Sequence, residues 1–203
     1  MNISEILDML EQEDDRQRSE GFDPSKRNNS IPRDVGEFTS VLIRLVKPKT
    51  ILEIGTSVGY STIWLGVSAA SYGGRVISYE KDAERAQIAK ENIAKAGLDG
   101  VVEIRNEDAL EAELPSCDFV FLDAERDDYV DHFDHFFPKL NQGGGILANN
   151  TLGYFEQLRK YIEKVRDHPE CNSVLVAIGH GLELTYKFSN SENEAFRRFT
   201  MVR

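Results

Sequence analysis

A short apolar run that contains an acidic residue and ends at two spaced glycines constrains the fold of this chain more than any other feature. The segment is Ile51-Leu52-Glu53-Ile54-Gly55-Thr56-Ser57-Val58-Gly59-Tyr60-Ser61. It predicts a buried strand, a tight turn and the start of a helix, a geometry in which backbone can approach a ligand closely. A dinucleotide-binding turn would carry the pattern G-x-G-x-x-G. Here the pattern is Glu-x-Gly-x-x-x-Gly, and its carboxylate would repel a pyrophosphate but tolerate a cationic ligand.

The length of the chain, 203 residues, predicts one domain over 1–203, with an amphipathic helix and loop over 1–32 and a polar tail over 189–203. The formal net charge of -11 argues against phosphate-driven binding of nucleic acid and against adsorption on anionic membranes. No apolar run approaches the length of a membrane span, and the acidic N-terminal segment does not resemble a signal peptide. Cys117 and Cys171 lie far apart, which favours free thiols in a reducing compartment. These features predict a soluble, cytoplasmic protein.

From residue 50 onwards, predicted strands alternate with predicted helices. The strands are expected over 50–54, 76–79, 101–105, 118–122, 146–148, 174–178 and 182–188, and the helices over 59–70, 82–96, 129–140 and 154–167. This alternation predicts an α/β fold with a Rossmann-like, doubly wound, mostly parallel seven-stranded sheet and helices on both faces. The connection Gly179-His180-Gly181 resembles a hairpin, so the last strand is expected to be antiparallel.

A further helix is predicted between the N-terminal loop and the first strand. Asp34 and Glu37 resemble a capping box, which would place the start of this helix at Asp34. The apolar residues that follow at helical spacing form one face of it: Phe38, Val41, Leu42 and Leu45.

Ligands bind to doubly wound sheets beyond the carboxyl ends of the strands. Glu80 follows the second predicted strand, where a carboxylate can accept hydrogen bonds from both hydroxyls of a ribose. The alternative is a solvated carboxylate at a strand end, but its position one crossover after the glycine turn favours the ribose role. Asp108 and Ala109 follow the third strand, where they can either contact an adenine edge or cap the next turn.

These segments resemble those of class I S-adenosylmethionine-dependent methyltransferases and, more narrowly, those of the catechol and caffeoyl-CoA O-methyltransferase family. The resemblance covers about residues 31–188, and the segments that carry it are Leu52 to Ser61, Glu80, Asp108-Ala109, Phe121-Leu122-Asp123-Ala124 and Gly144 to Asn150. It implies S-adenosylmethionine as the cofactor, with Glu53 placing the sulfonium and Glu80 binding the ribose. The other cofactor-binding residues that it implies are Ile31, Gly55, Thr56, Ser57, Gly59, Ser61, Asp108, Ala109 and Asp123.

The half of the site that would hold the methyl acceptor departs from the family. The family binds a divalent cation with two aspartates and an asparagine, and the matching positions here are Asp123, Asn149 and Asn150. Because Mg²⁺ prefers anionic oxygen ligands, the loss of one carboxylate is expected to weaken the metal site. The family also has a lysine proposed to act as the base, and its position is taken by Arg126, which stays protonated. Asp123 and Arg126 are the expected catalytic residues, and methyl transfer that rests on alignment need not depend on the metal.

The sequence therefore predicts an S-adenosylmethionine-dependent O-methyltransferase that acts on a small hydroxylated acceptor and has a degraded metal site. One alternative is a protein that binds S-adenosylmethionine without catalysis. Another is a tRNA or nucleoside methyltransferase, which the acidic balance disfavours, and a nicotinamide oxidoreductase is disfavoured by the glycine spacing. The expected partners are a small-molecule acceptor and a second copy of the chain, with contacts by the first helix and the tail; neither nucleic acid nor a membrane is expected.

Overall fold

The computed structural model describes residues 2–189 and Glu192. The chain divides into two compact units, Met1–Ala112 and Glu113–Arg203. The single domain expected over 1–203 stays a prediction, and the tail expected over 189–203 lies outside the described residues, apart from Ser189 and Glu192. Within the described ranges, no helix is both long enough and apolar enough to cross a membrane.

The first unit begins with two helices and continues with strands that alternate with helices. Its helices are α1 (Ile3–Ser19), α2 (Arg33–Val46), α3 (Tyr60–Ala70) and α4 (Ala83–Lys95), with a short 3₁₀ turn at Pro24–Lys26. Its strands are β1 (Thr50–Ile54), β2 (Arg75–Tyr79) and β3 (Val102–Arg105). The second unit contains strands β4 (Cys117–Leu122), β5 (Leu140–Ala148), β6 (Cys171–Val176) and β7 (Leu182–Lys187). Its helices are α5 (Tyr129–Phe136) and α6 (Phe155–Asp167), with 3₁₀ turns at Arg126–Asp128 and Phe137–Lys139.

The strands form one sheet in the order β3-β2-β1-β4-β5-β7-β6. Pairing is parallel between β1 and β2, between β2 and β3 and between β4 and β5. Strand β7 runs antiparallel to both of its neighbours, β5 and β6. The predicted fold class, a Rossmann-like and mostly parallel seven-stranded sheet with an antiparallel last strand, is confirmed.

Complete burial of β1 explains why its sequence does not alternate between apolar and polar residues. All five of its residues are buried, and Ile51 and Leu52 are fully so. Parallel strands that are covered on both faces are typically continuous apolar runs. Glu53 is therefore an exception within the core, and the hydrogen bonds that compensate for its burial define the site described below.

Helix α2 differs from its prediction in both its start and its buried face. It begins at Arg33 with Pro32 as the N-cap, and Asp34 accepts a hydrogen bond from the adjacent N–H of Val35, so the predicted capping box is wrong. The fixed φ of a proline suits the residue before a helix and moves the start towards the N-terminus. The predicted apolar face is the outer one, because Val41 and Leu45 are 57% and 76% exposed. The buried face consists of Val35, Gly36, Thr39, Ser40 and Ile43.

Strand β5 is longer than predicted because it continues through the three glycines that precede Ile146. The register between β4 and β5 shifts near Cys117, and Gly143 has a φ of 79°. A Cβ at Gly144 would lie 2.9 Å from the carbonyl oxygen of Asp118, and one at Gly145 would lie 3.0 Å from the Phe119 ring. The glycines therefore permit close strand pairing rather than a turn. Helix α5 ends at Phe136, earlier than predicted, because the 3₁₀ turn that follows contains Pro138.

Replacing Gly181 by Ala is expected to destabilise the fold by about 2–4 kcal/mol, because two costs add. Gly181 has a φ of 85°, and a Cβ there would lie 2.6 Å from the backbone nitrogen of Leu152. Chemical denaturation measures the loss. Gly100→Ala is the control, since a Cβ there meets nothing within 4 Å, and equal midpoints for the two variants would contradict the prediction.

Candidate active site

The glycine turn after β1 is held by left-handed residues and by the end of the neighbouring strand. Gly55, Ser57 and Gly59 have φ angles of 94°, 49° and 89°. The N–H groups of Gly55 and Thr56 donate to the carbonyl oxygen of Tyr79 at 3.1 and 3.2 Å. The predicted tight turn and helix start are thus present, and Gly59 is the N-cap of α3.

Glu53 is fully buried beneath this turn, and its carboxylate accepts hydrogen bonds from three hydroxyl groups. Ser61 Oγ donates to Oε1 at 2.6 Å, and Thr62 Oγ1 and Ser78 Oγ each donate to Oε2 at 2.5 Å. These bonds join β1, the start of α3 and β2 around one negative charge. The predicted residues Glu53 and Ser61 are in direct contact. Thr62 and Ser78 were missed, although a serine inside the apolar run of β2 was a usable signal.

Glu80 is also buried, at 8% exposure, and it holds the other side of the turn. Its carboxylate accepts from the backbone N–H of Ser57 at 2.7 Å and from that of Asp82 at 2.9 Å. Burial raises the pKa of the Glu80 carboxyl, while these two hydrogen bonds oppose the rise. The alternative of a solvated carboxylate at a strand end is therefore wrong.

Asp108 caps the turn that follows β3. Its Oδ1 accepts from the N–H of Leu110 at 2.9 Å, and its carbonyl oxygen accepts from Glu111 and Ala112. Ala109 is buried. Capping was one of the two roles left open for this pair, and a contact with adenine stays a prediction. Asn106, which the sequence did not indicate, donates from Nδ2 to the carbonyl oxygen of Glu80 at 2.8 Å and so ties the ends of β2 and β3 together.

The loop between α1 and α2 is fastened to the glycine turn. Ser57 Oγ donates to the carbonyl oxygen of Asn28 at 2.6 Å. Asn28 is in turn held by Gln17 of α1, because its N–H donates to Gln17 Oε1 at 2.8 Å and Gln17 Nε2 donates to its Oδ1 at 3.2 Å. The predicted donor-pocket residue Ile31 is buried in the same loop. The N-terminal segment therefore supports the turn on which a ligand would lie.

Replacing Gln17 by Ala is expected to weaken binding of S-adenosylhomocysteine about three- to tenfold, because the loss of one or two net hydrogen bonds loosens Asn28 and thus Ser57. Isothermal titration calorimetry measures the affinity. Gln87→Ala is the matched control, since the Gln87 side chain is exposed on α4 and donates to Glu91 Oε1 at 3.0 Å. An affinity of the Gln17 variant equal to that of the control would contradict the prediction.

In the second unit, Asp123, Asn149 and Asn150 lie at the ends of β4 and β5. Asn150 Nδ2 donates to Asp123 Oδ1 at 3.0 Å, and Asn150 has a φ of 67°. Asn149 is 3% exposed, and its buried Oδ1 has no hydrogen-bond partner. Burial of the Asp123 carboxyl raises its pKa to about 6, while the Asn149 amide and the Arg126 charge oppose the rise. The structure thus brings together the three residues predicted as metal ligands.

Arg126 lies in the 3₁₀ turn after β4 and is held by two side chains at the start of α6. Its guanidinium carbon is 3.9 Å from the centroid of the Tyr154 ring. Its Nε donates to Gln157 Oε1 at 3.0 Å. Tyr129, for which a core position was expected, is fully buried, and its hydroxyl donates to the carbonyl oxygens of Leu122 and Asn149.

A divalent cation fits this set of donor atoms poorly. Asp123 is the one carboxylate among the three predicted ligands, and hard cations prefer several anionic oxygens. Asn149 has an oxygen to offer, but Asn150 already presents its N–H₂ group to Asp123. In the part of the chain that the structure describes, no group of three or more His, Cys, Asp and Glu side chains is placed to hold a metal. The metal role of these residues stays a prediction.

Comparison with known proteins agrees with this geometry. A family model described as O-methyltransferase matches residues 15–188. The chain is 35% identical over 131 residues to a catechol O-methyltransferase of Niastella koreensis, covering 61% of this chain and 58% of the relative. It is 30% identical to a caffeoyl-CoA O-methyltransferase of Medicago sativa, covering 66% and 60%. Both alignments thus span less than two thirds of the relative's length.

The fold is also that of a solved methyltransferase. An O-methyltransferase from Bacillus cereus, crystallised in complex with SAH, superposes with a TM-score of 0.74 at 24% identity and covers 90% of each chain. The match of the family model extends over most of the chain, from the end of α1 to the residue after β7. The chain therefore belongs to the O-methyltransferase family, as the resemblance of its sequence to class I S-adenosylmethionine-dependent methyltransferases predicted.

Proposed function

We propose that this protein transfers the methyl group of S-adenosylmethionine to a hydroxyl group of a small acceptor, with little or no dependence on a divalent cation. The observation that carries the proposal is the glycine turn between two buried carboxylates, Glu53 and Glu80. Membership of the O-methyltransferase family supports the reaction class.

The chemistry of the donor side fits a positively charged ligand that carries a ribose. A sulfonium bound near a buried carboxylate would offset part of the cost of burying that carboxylate, because an opposite charge favours the ionised form. Glu80, which has a raised pKa, already accepts two backbone hydrogen bonds and retains lone pairs for ribose hydroxyls. S-Adenosylmethionine supplies an electrophilic methyl carbon when it is bound. In this proposal Glu53 orders the turn, and Ser57 and Glu80 position the nucleoside.

On the acceptor side, this chain's residues would orient the acceptor so that its hydroxyl oxygen faces the methyl carbon. The acceptor oxygen forms a bond to the methyl carbon as the carbon–sulfur bond breaks, and the hydroxyl proton leaves to solvent or to a nearby base. Arg126 cannot take that proton, because a guanidinium stays protonated. Its charge can instead hold an anionic acceptor, and alignment of the two reactants supplies much of the rate.

Calorimetry with S-adenosylhomocysteine tests the donor site, and failure of both this compound and S-adenosylmethionine to bind would contradict the proposal. Turnover of a panel of phenols, catechols and hydroxylated nucleosides then separates an enzyme from a binding protein without catalysis. Activity is expected to be largely retained in EDTA. Complete loss that Mg²⁺ restores would refute the weak metal dependence while leaving the methyl transfer intact.

The protein is proposed to form a homodimer through α2 rather than α1. Most of the apolar face of α1 is buried within its own unit, at Ile6, Leu7 and Leu10, and Met9 is 37% exposed. Helix α2 instead exposes a row of apolar side chains, Val41, Leu45 and Val46, at 57%, 76% and 49%. Exposed apolar patches of this kind commonly mark contacts between proteins.

Replacing Leu45 by Glu is expected to shift the dimer to monomer, since a charge in an apolar interface is costly to desolvate. Sedimentation equilibrium at several concentrations measures the change, with the exposed Lys49→Glu as the control. Dimers of equal strength in the two variants, or a monomeric parent protein, would exclude this interface.

A further inference from the structure

We propose that Arg126, Tyr154 and Gln157 form a subsite for the carboxylate of a hydroxylated aromatic acid. The methyl acceptor would then be an organic anion rather than a neutral phenol. This inference rests on the proposed methyl transfer, because it names the class of acceptor at the same site. The family resemblance does not supply it, since the residue at position 126 departs from the family.

The guanidinium of Arg126 is fixed in place before any ligand arrives. It stacks on the Tyr154 ring, with 3.9 Å between its central carbon and the ring centroid, and its Nε is engaged by Gln157 Oε1 at 3.0 Å. Stacking and the Nε bond leave the far edge of the group, with its two Nη atoms, available to a ligand. That edge matches a carboxylate through two parallel hydrogen bonds.

No acidic side chain of the described residues forms an ion pair with Arg126. Its neighbours in sequence include Glu125, Asp127 and Asp128, any of which could have supplied one. The charge of Arg126 does oppose the rise in the pKa of the Asp123 carboxyl, but the two side chains form no ion pair within the described residues. The direct contacts of this half-buried arginine are therefore an aromatic ring and a neutral amide, and an anionic ligand would supply a directly bonded opposite charge.

Arg159, one turn further along α6 than Phe155, shows the contrasting arrangement. It also lies over an aromatic ring, with 5.6 Å from its central carbon to the Phe155 centroid. Both oxygens of the Glu156 carboxylate, however, accept from its Nη2 at 2.8 and 2.6 Å. Arg159 thus has an acid of its own helix as a partner, whereas Arg126, in the 3₁₀ turn after β4, contacts a ring and an amide at the start of that helix.

The surroundings of Arg126 suit an acid with an aromatic body. Leu152, Tyr154 and Phe155 are 50%, 41% and 42% exposed, which places apolar surface in the same short segment of chain. That segment is anchored, because the N–H groups of Leu152 and Gly153 donate to the carbonyl oxygen of His180 at 2.9 and 2.7 Å. An aromatic ring beside the guanidinium can cover this surface, whereas a small inorganic anion cannot.

The test compares acids with neutral analogues that carry the same hydroxyl groups. Calorimetry is performed with S-adenosylhomocysteine at saturation, using 3,4-dihydroxybenzoate against catechol and caffeate against caffeyl alcohol. Each acid is expected to bind at least about tenfold more tightly than its neutral analogue. Arg126→Gln should abolish this preference, and Tyr154→Leu should reduce it by removing the ring behind the guanidinium. Arg159→Gln is the matched control and should retain it.

The outcomes separate a failure of the carboxylate subsite from a failure of the proposed methyl transfer. If S-adenosylhomocysteine binds but acids and neutral analogues bind equally, or none of them binds, the subsite is refuted and the methyl transfer is not. A preference for acids that survives in Arg126→Gln also refutes it. If Arg126→Gln does not fold, Arg126→Lys replaces it and should lose most of the preference, because a lysine neither stacks nor forms two parallel hydrogen bonds.

Discussion

Replacing Asn149 by Asp is expected to give the protein a Mg²⁺ requirement for stability that the parent chain lacks. Without the cation, the variant places a second carboxylate beside Asp123 in a buried position, and we expect a loss of about 3–5 kcal/mol in the free energy of unfolding. With Mg²⁺ at a concentration well above its dissociation constant, binding to the folded state should restore much of that loss. Thermal unfolding with EDTA and with increasing Mg²⁺ measures both effects without an activity assay.

The expected size of this effect follows from the surroundings of Asn149. The residue is 3% exposed and its Oδ1 has no hydrogen-bond partner, so a carboxylate there would have neither solvent nor a donor for this oxygen. A cation held between this carboxylate and that of Asp123 would satisfy both charges. One substitution thus converts a site with one anionic ligand into a site with two.

Asn141→Asp is a closely matched control for this experiment. Asn141 lies in β5, the strand that Asn149 follows directly, and like Asn149 it is hydrogen-bonded to an aspartate: its Nδ2 donates to Asp118 Oδ1 at 2.8 Å, but this pair is exposed. Solvent screens the repulsion between exposed charges, so this control should lose little stability and gain little from Mg²⁺. If Asn149→Asp responds to Mg²⁺ no more than the control, position 149 does not determine metal binding.

The donor side could be predicted from the sequence because its signals are local. The strand, the turn and the helix start around Gly55 and Gly59 follow one another within a few residues, so backbone preference alone places them. Glu80 follows its strand directly, and the parallel sheet brings the ends of neighbouring strands to one edge. Position in the chain therefore determines position in the site.

The supporting contacts could not be predicted because they join residues that are distant in the sequence. Ser78 donates to Glu53 across 25 positions, and Gln17 holds Asn28 across 11. A serine, a glutamine or an asparagine is compatible with many environments, and only the fold decides which partner it meets. The outward apolar face of α2 has a similar cause, because small residues such as Gly36 and Ser40 allow a closer approach of α3 than large apolar ones.

Replacing Glu80 by Gln is expected to weaken binding of S-adenosylhomocysteine by roughly 10- to 100-fold, since hydrogen bonds to charged groups contribute about 1.5–3 kcal/mol each. A glutamine has one side-chain oxygen, whereas the carboxylate of Glu80 uses separate oxygens for the N–H of Ser57 and that of Asp82. The variant must turn an N–H₂ group towards one of these donors or release it. Either response disturbs the turn and removes an acceptor from the ribose.

The affinity of the folded fraction distinguishes a ligand-binding role of Glu80 from a purely structural one. If the carboxylate only stabilises the turn, Glu80→Gln should lower the unfolding midpoint, yet molecules that remain folded should bind with the affinity of the parent chain. If it also accepts from the ribose, the affinity should fall at temperatures where the variant is fully folded. Glu107→Gln is the control, because it removes an exposed carboxylate in the same unit and leaves the turn untouched. Equal affinities for the two variants, measured well below both unfolding transitions, would remove Glu80 from the donor site.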